Sequence, residues 1–315
     1  MKPNQGRGKN VERTQWVTEV TSDAVRHFAW GIGDNNPLWV DQDYELASGL
    51  TKTIAPPSFT YAIDETTVAP GLHGYERHYE KVEWEWFQRL ELGDQITSQS
   101  RSIREERDSS ADVIWQHGET LFNCNHKGLV AKANVVTRRD KKQLVTVDER
   151  EEINYTPAEL SKIEETIIGE ESRGYLPRHW EGVSVGDSVG VITKGPLSIM
   201  DIVAWCAGTM GSPDGQQGYS SGGLDDQTAT GPQLAAWIIH LLTNWMGDGG
   251  FLHTLSVNFS GLPSLGSTTT ISGNVSSVFT NKNKSFCEID ITCLLQNGEE
   301  IANGNALIQL PSSKG

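Results

Sequence analysis

Phe28-Ala29-Trp30-Gly31-Ile32-Gly33-Asp34-Asn35-Asn36-Pro37-Leu38-Trp39 is the stretch whose reading decides the fold. It begins inside an amphipathic helix that starts behind the polar Thr21-Ser22-Asp23, with Ala24, Val25, Phe28 and Ala29 at helical spacing. Gly33-Asp34-Asn35-Asn36-Pro37 then reads as a turn, since Asp and Asn bond their own backbone and Pro fixes φ. Ile54-Ala55-Pro56-Pro57-Ser58-Phe59 follows as the start of a short apolar helix.

Outward from this stretch the chain repeats itself. Thr21–Trp30 has a later counterpart in Ser198-Ile199-Met200-Asp201-Ile202-Val203-Ala204-Trp205-Cys206-Ala207. Val82-Glu83-Trp84-Glu85-Trp86-Phe87, leading to Leu92-Gly93-Asp94, is matched by Leu255–Phe259, leading to Leu265-Gly266-Ser267. Each is an alternating strand, a glycine turn and a further strand. Val130–Val136 is matched by Ile301–Leu307 as a final strand. The glycines are 173 residues apart and the final strands 171, so two similar units follow one another. We divide the chain into an N-terminal domain (1–137), a connector (138–176) and a C-terminal domain (177–315). The connector opens on the charged run Arg138–Lys142 and carries a surface helix from Thr156-Pro157-Ala158-Glu159, a capping-box start with Pro at the first helical position.

Asp34-Asn35-Asn36-Pro37, the Ala55–Phe59 string and the strand Glu83-Trp84-Glu85-Trp86-Phe87 together resemble the MaoC-like acyl dehydratases and (R)-specific enoyl-CoA hydratases. The resemblance covers nearly the whole chain and is to the double-hotdog form. It implies an α+β fold in which two antiparallel sheets, each wrapped round a central helix, are fused in one chain. A single hotdog leaves a sheet edge uncovered, which is why two pair. The family motif reads Gly-Asp-x-Asn-Pro-x-His, and its Asp and His share the activation of a water. Asp34 stands at the Asp, but Trp39 stands where the His belongs. Ala55-Pro56-Pro57 replaces an Ala-His-Gly string whose backbone N–H holds the thioester oxygen, and Pro57 has no N–H. In the second half Gly211 and Gln216 fall at the Asp and His positions, with Asp214 nearby. Thr230-Gly231 keeps the donor glycine ahead of an apolar helix containing Trp237 and Trp245.

Composition narrows the partners. The net charge of −15 disfavours nucleic acid and an anionic membrane surface. Met1–Gln15 lacks an apolar core of signal type, and no run of about 18 apolar residues suggests a span. The four cysteines form no Cys-x-x-Cys pair, which argues against zinc and for reduced thiols in a cytoplasmic protein. No dinucleotide, Walker, zincin or nucleophile-elbow string is present, so no cofactor is expected beyond acyl-CoA as substrate.

The expected activity is a hydratase or dehydratase acting on the α,β double bond of an acyl-CoA thioester. Asp34 is the expected catalytic carboxylate and His73, in Leu72-His73-Gly74-Tyr75-Glu76-Arg77-His78, the expected substitute base. Asn36, Trp39, His78, Thr230 and Gly231 are the expected substrate contacts. His240 and His253, flanking the second central helix, read as buried and hydrogen-bonded. Two alternatives stay open: a silent acyl-thioester-binding subunit of a hetero-oligomeric hydratase, and a different lyase on the same scaffold. A homodimer, or assembly with another hotdog subunit, fits any of these.

Overall fold

The computed structural model describes residues 10–11, 15, 17–41, 43–44, 53–66, 75–108, 110–141, 153–209 and 228–313. In chain order these form β1 (Asn10–Val11), α1 (Ser22–Gly31), α2 (Pro37–Val40) and α3 (Thr60–Ile63). Then come β2 (Tyr75–Trp86), β3 (Ile96–Asp108), β4 (Val113–Cys124), β5 (Gly128–Lys141) and α4 (Pro157–Ile168). The second half holds β6 (Ser188–Lys194), α5 (Ile199–Thr209), α6 (Gly231–Met246), β7 (Phe251–Phe259), β8 (Thr269–Asn281), β9 (Lys284–Leu295) and β10 (Glu300–Leu310).

The strands join into one ten-stranded sheet in the order β1-β3-β4-β5-β2-β7-β10-β9-β8-β6. Read outward from the β2–β7 seam, the two halves have the same order, and at the seam Val82 lies opposite Val257. The antiparallel β2–β7 pairing covers the edge that each half would leave bare. Alternating burial along β4 turns one face of the sheet inward, as its alternating sequence requires. The matched turn glycines Gly93 and Gly266 both have a left-handed backbone, φ +87° and +82°, which side-chain-bearing residues avoid.

The same symmetry appears where α1 crosses α5. A Cβ on Gly31 would stand 2.7 Å from the Ala204 carbonyl oxygen, and one on Gly208 would stand 3.0 Å from that of His27. Both pairs, Gly31 with Gly208 and His27 with Ala204, are 177 residues apart (208 less 31, 204 less 27). The crossing is therefore a self-matching contact between equivalent helices, of the kind a two-fold axis makes.

The halves differ at their central helices. All sixteen residues of α6 are buried. Its counterpart is a single 3-10 turn, Pro57–Phe59, running into the four residues of α3. Asp64 ends α3 in an extended conformation, and its carboxylate accepts from the Thr66 N–H at 2.7 Å and from the Ser98 and Ser100 hydroxyls at 3.2 and 3.3 Å. Its place at a helix end is thus met by donors from the chain beyond and from β3.

Two expectations are corrected. Arg138–Lys141, read as solvated connector, continues β5, and Arg139 is 1% exposed with its Nε on Gln116 at 2.8 Å. Trp30, which its place in the amphipathic helix puts on a core or interface face, is 53% exposed under the Arg26 guanidinium, because Phe28 and Ala29 supply the buried face of α1. The connector helix α4 is as read, with the Thr156–Glu159 capping box closed on both sides. No helix among the described residues is long and apolar enough to cross a membrane. All four cysteines are buried and none is in a disulfide among the described residues.

Candidate functional site

Asp34 is 1% exposed, at the point where the α1 chain leaves its helix. Its Oδ1 accepts from the Asn36 N–H at 3.0 Å, the local bond expected of an Asp opening a turn. Its Oδ2 accepts from the Trp39 indole N–H, also at 3.0 Å. Asn36 in turn accepts from the Leu38 N–H at 3.1 Å and so caps α2. The Asp34 and Asn36 side chains thus each close a bond within the turn.

His240, from the middle of α6, reaches this turn from the other half. Its Nε2 lies 3.4 Å from Asp34 Oδ1 and 2.5 Å from Glu170 Oε1, and the imidazole has no exposed surface. Both approaches lie off the line of the ring N–H, so neither nitrogen makes a well-directed hydrogen bond. Glu170 follows the connector helix and also accepts from Asn244 Nδ2 at 2.9 Å, one turn beyond His240 on α6. The Lys194 ammonium donates to the Gly33 carbonyl at 2.8 Å. Four elements thus bring two carboxylates, an imidazole and an ammonium to one place, which costs much unless the charges compensate.

The electrostatics follow this packing. Burial alone would raise the Glu170 carboxyl, but the close approach of His240, with Lys194 and Asn244, outweighs it and holds the group below its ordinary value. Burial pulls the Lys194 ammonium down, against the opposing pull of Glu170, Asp34 and Asp201. Shifted groups gathered round a fixed imidazole are what acid–base sites require.

An apolar pocket adjoins the cluster. Asn36, Leu38, Trp39, Ile54, Ala55 and Pro57 line one side, and Thr243, Met246, Asp248 and Phe251 the other, with Trp86 and Arg89 between. The empty space between these walls, counted together with the open solvent at its mouth, is about 500 Å³. Trp39 and Thr243 belong to its wall, while Asp34 and His240 do not line it.

The expected site residues divide accordingly. Asp34, Asn36 and Trp39 come together. Thr230 caps α6 by accepting from the Gln233 N–H at 3.1 Å, and Gly231 is packed so closely that a Cβ would meet the Tyr79 ring at 2.6 Å. Neither lines the pocket, which lies towards the opposite end of α6. His78 pairs with Asp140 at 3.2 Å on the sheet and is also absent from the pocket. His73 and the Gly211–Gln216 segment lie outside the described residues. His253 is held by Gln309 at 3.1 Å between Phe251 and Phe286. Among the described residues, Asp94, Cys124 and His126 form a further group with metal-type side chains. There His126 bridges the Cys124 thiol and Asp94, which also holds Lys127 at 2.8 Å.

Comparisons with known proteins agree with this architecture. Residues 8–114 match the FAS1-like dehydratase domain region. A solved MaoC-like dehydratase superposes over 99% of both chains with a TM-score of 0.68 at 16% identity. A Mycobacterium tuberculosis protein described as having a double hotdog fold superposes over 97% of this chain and 96% of its own, with a TM-score of 0.59 at 9% identity. The chain has the MaoC-like double-hotdog fold. A UPF0336 protein of Streptomyces avermitilis is 42% identical over 45 residues, and one of Streptomyces griseus 40% over 45. Those matches take in 14% of this double hotdog and only 30% of each relative's length.

Proposed function

We propose that this protein is a hydratase or dehydratase acting on the α,β double bond of an acyl-CoA thioester, with Asp34 and His240 as its working pair. The observation that carries the proposal is the 3.4 Å approach of His240 Nε2 to Asp34 Oδ1. The imidazole missing from Trp39's position is offered by the central helix of the other half.

The chemistry assigned to each group follows from its surroundings. In the hydration direction, His240 takes a proton from water as the water oxygen bonds to the β-carbon. The π electrons move to the α-carbon, which receives the proton, and charge passes through the thioester oxygen. Asp34 orients the water, and Glu170 holds the imidazole and balances the imidazolium that forms. We assign the Asn36 side-chain amide, on the pocket wall, as donor to the thioester oxygen. The acyl group occupies the apolar pocket. Trp39 stands between pocket and pair, so its indole must move aside for the β-carbon to approach.

A second reading, a silent acyl-thioester-binding subunit, is favoured by that same indole. Asp34 Oδ2 already accepts from Trp39, and the pair is sealed from the pocket in this conformation.

Hydration of a panel of trans-2-enoyl-CoA thioesters by the purified protein decides between them. Turnover that falls by at least about a hundredfold in Asp34→Asn and in His240→Asn, with folding intact, supports the enzyme. Thioester binding without turnover on any member supports the silent subunit. Turnover unchanged by either substitution would remove both residues from the mechanism.

A further inference from the structure

Among the polar groups of the pocket that the hydration chemistry does not use, one carries a buried acceptor without a donor. Asp248 lies just beyond the last turn of α6 and lines the pocket, with only 7% of its surface exposed. Its Oδ2 accepts from the Tyr44 hydroxyl at 2.9 Å, while its Oδ1 is closed to solvent and has no hydrogen-bond partner among the described residues. The pocket it lines is otherwise largely apolar, and the indole N–H groups of Trp39 and Trp86 are already given to Asp34 and to the Pro57 carbonyl. A buried acceptor left without a donor costs on the order of 1–3 kcal/mol. A ligand that brings a donor recovers that cost, whereas a plain hydrocarbon leaves it standing.

The neighbourhood also selects the kind of donor. Arg89 lines the same pocket and donates to the Asp248 and Gly250 carbonyls at 2.9 and 2.6 Å. Its charge draws the Asp248 carboxyl down, but burial prevails and leaves that carboxyl above its usual range. A cationic ligand group would face the guanidinium as well as the carboxylate, so a neutral donor fits better than an ammonium. Position excludes the product's own β-hydroxyl. Asp248 is eight residues beyond His240, and at about 1.5 Å rise per helical residue the separation along α6 is on the order of 10 Å.

We propose that the pocket is specific for acyl groups carrying a hydroxyl far from the thioester on an otherwise apolar body, with the Asp248 carboxylate turning so that Oδ1 accepts that hydroxyl's hydrogen bond. This rests on the reading of the pocket as the acyl site, but not on any turnover.

The test is the binding, by calorimetry, of saturated acyl-CoA thioesters that cannot react. Parent chains are compared with the same chains hydroxylated at successive distal carbons. The wild type is expected to bind at least one hydroxylated chain about tenfold or more tighter than its parent, since a site built to bond a hydroxyl discriminates against the analogue lacking it. Asp248→Leu is expected to reduce the ratio to near one, and Asp248→Asn, whose amide oxygen still accepts, to retain part of it. Should Asp248→Leu fail to fold, the wild-type ratios and Asp248→Asn carry the test. A wild type that binds every hydroxylated chain no better than its parent overturns the proposal. A preference that survives Asp248→Leu assigns the hydroxyl elsewhere and overturns it too. Preference without hydration of any enoyl thioester would refute the hydratase reading and leave this one standing.

Discussion

Removing either member of the His240–Glu170 pair is expected to destabilise the fold and to reveal their coupling. The imidazole is fully buried and the carboxylate side chain is 15% exposed, at a separation of 2.5 Å. Removing one partner of a buried polar pair leaves the other unmet, and where the group left behind is a charge the cost reaches about 3–5 kcal/mol. Glu170 keeps Asn244 and the field of Lys194, so His240→Gln should cost less, about 2–3 kcal/mol. Glu170→Gln, which can still accept from Asn244, should cost about 1–2 kcal/mol. The double variant should fall short of the sum by at least about 1 kcal/mol. Urea unfolding at constant m value reads all three, and additivity within about 0.3 kcal/mol would refute the coupling. The pH dependence supplies a second check. The folded Glu170 carboxyl sits below its usual 4.5, so its contribution is fully present above that value. It fades as pH falls through the lower folded value. The advantage of wild type over Glu170→Gln should therefore be flat above about pH 5 and shrink below about pH 4. An advantage that grew on acidification would show that the carboxylate is disfavoured in the fold.

Three further outcomes are expected. Trp39→Phe keeps the ring on the pocket wall but leaves Asp34 Oδ2 without the indole donor, and should cost about 1–3 kcal/mol in urea unfolding; no change would show that the bond is inessential to the turn. Gly31→Ala and Gly208→Ala each place a methyl against backbone at the helix crossing, so each should destabilise by about 1–3 kcal/mol in thermal unfolding, with Gly31→Ala the worse because its contact is closer, 2.7 against 3.0 Å. Thr156→Ala opens the capping box of α4 and should raise amide exchange in its first turn by an amount near 1 kcal/mol, while leaving the urea midpoint of the sheet unchanged.

The double hotdog was legible because its signals are local and repeated. Alternating strands, two glycine turns and two capped apolar helices recur at nearly constant spacing, and the β2–β7 pairing follows from two open edges in one chain. Asp34, Asn36 and Trp39 were legible for the same reason, all three lying within one six-residue stretch of chain. His240 and Glu170 were not. They are far apart in sequence and meet Asp34 only through the packing of α6 and the connector against the first half. A signal for His240 did exist: an ionisable ring in the middle of a helix that is otherwise almost wholly apolar is costly there unless something meets it. Glu170 carries none, since a glutamate after a surface helix is ordinary. The burial of Arg139 was hidden in a charged run, because composition does not register which face of a strand a residue takes.

The asymmetry between the halves gives the cluster its physical meaning. Had both central helices been short, nothing would span the sheet to reach Asp34. Had both been long, α3 and the chain after it would fill the space that the pocket occupies beside Pro57. One half keeps the Asp-Asn-Asn-Pro turn and a truncated helix, and the other keeps a sixteen-residue helix with a histidine at its middle. At the junction each half thus supplies what the other lacks: the first the carboxylate of Asp34, the second the imidazole of His240. A fold that needed α6 only as a spacer would be better served by leucine at position 240, since replacing a buried ion pair by packed apolar side chains is commonly neutral or stabilising. The buried imidazole and its two carboxylates are thus a stability cost carried by the one half-to-half contact that the proposed chemistry requires.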